Sequence, residues 1–171
     1  MVEKTIHIKD AIKQLQESTQ FKDWKKEHAD SFLANAFILL DDAYQAVWQL
    51  SYYNQNNTLT PFLVKDEGIE ISDESEIFKK DETKVLELDI SKIGLEYDQA
   101  LDLAKECKDK KYKVEDISKT IIILQHLDIG QVYNFTFLTK TLKTINIKID
   151  SNTGEILHEE VRSLMDFRAK D

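Results

Sequence analysis

Cysteine, proline, glycine and arginine are all scarce in this chain of 171 residues: one Cys, one Pro, four Gly and, as the only arginines, Arg162 and Arg168. The single thiol, Cys107, excludes an intrachain disulfide and any multi-cysteine metal site. It continues the pattern Ala100, Leu101, Ala104, where a small buried residue is the plain reading, and nothing in the sequence sets a base beside it. So little Gly and Pro leaves no room for long flexible linkers or low-complexity tails. No stretch runs to about 18 uninterrupted apolar residues, so no segment reads as a membrane-spanning helix. The opening MVEKTIHIKD is charged throughout and lacks the apolar core of a signal peptide. A cytoplasmic setting is the default expectation; a chain trimmed of its leader would look the same and act outside.

Positive charge is also in short supply. Lys and Arg number 23 against 32 Asp and Glu, a net charge of −9. Such a chain repels phosphate backbones, and no basic stripe interleaved with aromatics overrides the sign, which argues against nucleic acid as a partner. The motifs that cradle phosphates or present a nucleophilic Ser are missing too: there is no G-x-G-x-x-G, no G-K-[ST] and no G-x-S-x-G. His7, His28, His126 and His158 lie far apart with no partner at metal-ligand spacing. No catalytic set, metal site or cofactor is implied.

What is present is well-ordered strand and turn chemistry. In VYNFTFLTKTLKTINIKIDSNTGEIL, Val132 to Leu157, the residues Ile145, Ile147 and Ile149 alternate with Asn146, Lys148 and Asp150. A period of two gives one face to a core and the other to water. Ser151-Asn152-Thr153-Gly154 supplies a turn, and Glu155-Ile156-Leu157 opens another strand. Asp150 to Glu155 has a superficial likeness to a calcium loop, but Gly154 stands fifth rather than sixth and the closing Glu is missing, so a turn in which Asp150 and Asn152 bond local backbone is the better reading.

Earlier in the chain, residues 8–28 show helical spacing in two pieces, with Ile8, Ala11, Ile12 and Leu15 on one stripe and Ser18 placed to cap the second piece. Strands follow at Phe32–Leu40, Ala46–Tyr53 and Thr58–Val64; Pro61, which cannot donate to a ladder, predicts an edge or a bulge for the last of these. Residues 65–84 are acidic and weakly patterned, with short extended pieces at Ile69–Ile71 and Val85–Leu88. A helix is predicted from Leu95 to about Lys111, and TIIILQHL, Thr120–Leu127, reads as a buried strand.

The two halves look alike at an offset of 85: Phe37–Leu39 falls on Ile122–Leu124, Val47–Tyr52 on Val132–Phe137, and Thr60, Phe62, Val64 on Ile145, Ile147, Ile149. The expected architecture is therefore α+β, with two helix-plus-antiparallel-sheet units in tandem. They are residues 1–68 (helix plus three-stranded meander) and 95–171 (helix plus antiparallel strands), joined by an acidic connector at 69–94.

The second unit resembles the PepSY domain. The likeness rests on the helix beginning Tyr97-Asp98-Gln99-Ala100-Leu101, the paired strands, and the ending Ile147-Lys148-Ile149-Asp150-Ser151-Asn152-Thr153-Gly154-Glu155-Ile156-Leu157. The first unit departs from it, since Lys65-Asp66-Glu67-Gly68 lacks the Thr-Gly pair. The resemblance implies a small, cystatin-like α+β module, often in tandem, usually extracytoplasmic or membrane-attached, and in some cases an inhibitory propiece of a peptidase. With no peptidase attached, inhibition by this chain would act in trans.

The function expected is that of a non-enzymatic binding or regulatory module recognising a protein. Its candidate surface is the aromatic set Trp48, Tyr52, Tyr53, Tyr133 and Phe135, weighed against the reading that these rings pack in the core. The alternative is a small-ligand protein or enzyme with a pocket between helix and curved sheet, where His126, Asp128 or Glu155 would contribute. A third expectation is a homo-oligomer joined through edge strands.

Overall fold

A computed structural model describes residues 5–43, 46–77, 84–112 and 116–164. The Lys79–Glu82 run of the connector and Arg168 lie outside the described residues.

Helix α1, Ile8–Glu17, buries Ile8, Ala11, Ile12 and Leu15 along one stripe. The chain breaks at Ser18, whose hydroxyl accepts the Phe21 N–H and so caps α2, Thr19–Glu27. That cap satisfies one of the donors a helix N-terminus leaves orphaned. Four strands follow: β1 (Phe32–Leu40), β2 (Trp48–Asn54), β3 (Thr58–Lys65) and the short β4 (Gly68–Ile71). A two-residue piece, β5 (Ser75–Glu76), also pairs with β3. After α3, Tyr97–Lys111, a second meander runs through β6 (Ile117–Leu127), β7 (Gly130–Thr139), β8 (Lys143–Asp150) and β9 (Ile156–Ser163).

Among the described residues these strands form one antiparallel sheet in the order β4-β3-β2-β1-β6-β7-β8-β9, with β5 paired to β3 off this path. The α+β class expected from the sequence is the one observed. The meanders meet at β1 and β6, with Ala36 opposite Leu124, Phe37 opposite Ile123 and Ile38 opposite Ile122. Helix α1 packs on β2 and β3, and α3 packs on β7 and β8. Both layers cover the same face, and one hydrophobic core runs beneath them from Phe21 and Phe62 to Phe137 and Ile145.

Two details differ from the sequence reading. In the first strand it is Ala36 and Ile38 that are fully buried, while Phe37 and Leu39 point to the opposite face. Ile122 and Leu124 are buried, so matching Phe37–Leu39 to Ile122–Leu124 sets outward residues on inward ones. A one-residue slip reverses every side chain of a strand. Trp48, Leu50 and Phe62 do share burial with Tyr133, Phe135 and Ile147 at the offset of 85. Pro61 is the second case. Its strand is interior, but β4 pairs with residues 62–65 and β5 with residues 58–59, so Pro61 lies opposite the gap between them. Its carbonyl accepts Ser72 N–H at 2.9 Å on that side, and no ladder bond there requires a proline N–H.

The described part of the connector, from residue 84, is fastened down. Leu88 and Ile93 enter the core, and Leu88 N–H bonds Leu33 O at 2.9 Å. Gly94 and Leu95 both donate to Ser151 O at 3.0 Å, and Ser151 Oγ donates to Lys92 O at 2.8 Å. Gln131, 5% exposed, accepts Asp89 N–H and donates to Asp89 O and Ser151 Oγ. The connector is thus bolted to the turn that closes the second meander. That turn is shaped by Asp150, whose Oδ1 accepts the N–H groups of Asn152 and Thr153 at 2.8 Å each, with Gly154 at φ +81°.

Candidate functional site

The side chains singled out in the sequence fall on opposite faces of the sheet. Trp48 is buried, its indole N–H donating to Ile6 O at 2.9 Å and its ring meeting the edge of Tyr97. Tyr52 is buried in a nest of Phe21, Trp24 and Phe62, and burial pushes its phenol up to about 12. Tyr133 is fully buried and donates to Leu95 O at 2.7 Å; burial raises its phenol further still. Phe135 packs between Tyr133 and Phe137. These four rings build the core beneath the helices rather than an outer surface. Of the five, Tyr53 alone lies on the other face, half-buried, against Phe32 and hydrogen-bonded to Asn57.

His126, Asp128 and Glu155 are not brought together. His126 Nδ1 faces Glu87 O at 3.1 Å, which as an acceptor fixes the proton on that nitrogen. Asp128 is exposed in the β6–β7 turn, and Glu155 is exposed beside the Asp150 turn. No described hydrogen bond or ion pair joins them, and no group of three or more His, Cys, Asp or Glu side chains among the described residues could hold a metal ion.

Residues the sequence reading passed over build the helix-free face. Across its middle, Phe37 stands opposite Ile123 and Leu39 opposite Ile121, all half-buried, with Leu63 beyond Gln49 on the same row. Beside this apolar band lies a polar cluster. Asn146 Nδ2 donates to Asn134 Oδ1 at 2.6 Å and to Thr136 Oγ1 at 3.2 Å, and Lys148 donates to Asn146 Oδ1 at 2.7 Å. Burial holds the Lys148 ammonium below its ordinary value, against the opposing pull of Glu160. The farther margin carries Glu160, with Arg162 and His158 as its partners. The signal was present in the sequence: Ile121 and Ile123 sit at the outward phase of a strand in which every position from 121 to 124 is apolar.

A second feature is an open polar recess of about 300 Å³ where the turn after α2 meets the β2–β3 hairpin and Glu74. It is formed by side chains too far apart in sequence to register as a motif.

No family model and no curated protein matches this chain. Among solved structures it is similar to a protein of Clostridium difficile 630 described as a "putative lipoprotein". The likeness covers 84% of this chain and 90% of that one, at a TM-score of 0.55 and 15% identity. At that identity the likeness establishes a shared fold. No helix among the described residues is long and apolar enough to cross a membrane.

Proposed function

We propose that this chain is a non-enzymatic binding module, PepSY-like in both halves, which recognises a protein partner through the helix-free face of its sheet. One observation carries the reading: both helix layers lie on one face, while the central strands turn Phe37, Leu39, Ile121 and Ile123 outward on the other. A contiguous apolar band with a polar margin is the anatomy of a protein interface, with a dry centre and a wet rim.

The tandem arrangement is supported by the register. β2 and β3 correspond to β7 and β8 at an offset of 85, the strands at the seam correspond at 86, and each helix lies over the second and third strands of its own meander. The PepSY kinship is supported by the Asp150 turn, in which the Asp150 carboxylate accepts the Asn152 and Thr153 N–H groups, the Thr153 hydroxyl accepts the Glu155 N–H and Gly154 takes a positive φ. That kinship and the lipoprotein description of a chain with the same fold favour a setting outside the cytoplasm over the cytoplasmic default.

The test is differential capture from the native host. Wild-type protein and a Phe37→Lys/Ile123→Lys variant are used as bait, after circular dichroism shows both folded. A protein retained by the wild type and lost by the variant supports the reading. Nothing recovered, or equal recovery by both, overturns it. Light scattering on the same pair identifies the case in which the partner is a second copy of this chain.

A further inference from the structure

We propose that a second copy of this chain adds to the sheet along the outer flank of β9, antiparallel about a two-fold axis at Val161. Strand β9 ends the sheet, and among the described residues no strand pairs with its outer flank. The opposite end is blunted, since β4 has four residues. β9 has eight, Ile156–Ser163, with neither Lys nor Pro among them. A long flank of that kind is a ready template for another strand.

The hydrogen bonding fixes which groups are on offer. Leu164 N–H donates to Leu142 O at 2.8 Å, continuing the register that sets Lys143 opposite Ser163 and Ile145 opposite Val161. Bonded and non-bonded pairs alternate along an antiparallel ladder, so Glu159, Val161 and Ser163 turn their N–H and C=O groups away from β8. The same three residues of a copy meet them in a two-fold pairing. Side chains alternate as well. Val161 and Glu159 stand opposite the buried Ile145 and Ile147 and lie on the helix side, while Glu160 and Arg162 lie on the helix-free side.

Charge selects the register. A symmetric pairing must be centred on a residue, because centring it between two would match outward groups with inward ones. Centred on Glu160, it sets Glu160 on Glu160 and His158 on Arg162. Centred on Glu159 or Arg162, it sets two carboxylates or two guanidiniums face to face. Centred on Val161, it sets Glu160 against Arg162 on both sides of the axis, Glu159 against Ser163, and Val161, 43% exposed, against its twin. Opposite charges directly across a strand pair attract and like charges repel, so this register is the favoured one. Arg162 donates from Nε to Glu160 within its own chain, and a guanidinium has further donors for the copy's carboxylate. Glu159 is already held by Lys111 Nζ at 2.5 Å and by the Cys107 thiol at 3.3 Å. The helices leave room: α3 packs over β7 and β8, and three strand spacings put β8 about 14 Å from its copy, beyond the roughly 8–10 Å at which helices touch.

The experiment is sedimentation equilibrium of the intact chain at concentrations up to about 1 mM, where a monomer–dimer equilibrium is expected. Glu160→Arg and Arg162→Glu each set like charges across the axis, and each alone is expected to weaken association at least about tenfold. Mixing these two variants restores opposite charges at both positions and is expected to recover association. Val161→Pro removes an N–H that β8 does not use, so it should abolish the dimer while circular dichroism stays that of the wild type. The Phe37→Lys/Ile123→Lys protein keeps this flank and should associate as the wild type does, which separates the edge from the sheet face proposed above. A wild type monomeric throughout, charge variants or Val161→Pro that associate fully, a mixture that does not recover, or a dimer lost in the Phe37→Lys/Ile123→Lys protein would each overturn the proposal.

Discussion

Replacing Gly94 by Ala tests the bolt between the connector and the Asp150 turn with a single methyl group. A Cβ at this position would lie 2.4 Å from Asn152 Oδ1, 2.6 Å from Asn152 O and 3.1 Å from Asn152 Cα. The first contact is with a side chain that can swing away. The other two are with backbone held in place by the bonds from Asn152 N and Thr153 N to Asp150. The methyl is accommodated only if the Gly94 and Leu95 bonds to Ser151 O, both 3.0 Å, lengthen. Overpacking of this kind costs about 1–3 kcal/mol, and weakening one backbone bond adds about 1 kcal/mol. Against this, Gly→Ala restricts the unfolded chain and returns about 0.4–1 kcal/mol. The net expectation is a loss of about 2 kcal/mol, or a fall in Tm of about 4–8 °C for a chain of this size. Urea and thermal unfolding followed by circular dichroism measure it directly. Asn152→Ala in the Gly94→Ala background is expected to recover less than half of the loss, because the backbone contacts remain. A Gly94→Ala protein as stable as the wild type, or full rescue by Asn152→Ala, refutes the reasoning.

Three further outcomes follow from the buried polar groups. Burial alone would raise the Asp150 carboxyl, but the N–H groups of Thr153 and Asn152 outweigh it and hold the carboxyl below its ordinary value. Its contribution to stability is therefore full above the unfolded value of about 3.9 and fades as pH falls through the folded one. Urea midpoints should show Asp150→Asn less stable than wild type at neutral pH, with the gap closing in acid; a gap that widens in acid contradicts the assignment. Tyr133→Phe removes the O–H donated to Leu95 O inside the core and should cost about 1–2 kcal/mol in chemical denaturation, whereas a neutral effect would mean the bond is not made. In an absorbance titration of the native protein, Tyr52, raised to about 12 by burial, and Tyr133, raised by burial, should both stay protonated at pH 10; ionisation of either near pH 10 without unfolding would contradict its burial.

How legible the molecule was in its sequence depended on the range of the signal. The β8 strand, the Ser18 cap and the Asp150 turn rest on residues a few positions apart, and each is legible with nearly the observed boundaries. The first strand was located, but its facing was not. In Phe32–Leu40, FLANAFILL, large apolar residues occupy both phases, and it is the small Ala36, opposite Leu50 and Leu124, that marks the inward one. For the aromatic set the core stands against a binding surface in the sequence, and the core wins for four of the five, because a ring as large as Trp48 or Tyr133 stabilises more when desolvated under a helix. The recess was illegible because Ser31, Asn54 and Glu74 belong to three different segments that only the folded sheet brings together. The connector looked like solvated linker by its charge, and Leu88 and Ile93 are too few to give a period, although both are buried.

The seam where Phe37 faces Ile123 has a consequence for the severed chain. Cleavage between residues 77 and 84 would release two fragments, each baring the long flank of a strand that had been interior. Because the seam is antiparallel and joins the first strand of each meander, either fragment presents to its own kind nearly what it presents to the other. An isolated leading fragment would accordingly zip onto a twin, Phe37 across from Phe37, until the trailing fragment displaced it. Reassembly of the cut protein is then a contest between like and unlike halves, decided by how much better Ile121 and Ile123 fill the space that the twin offers with Asn35 and Phe37.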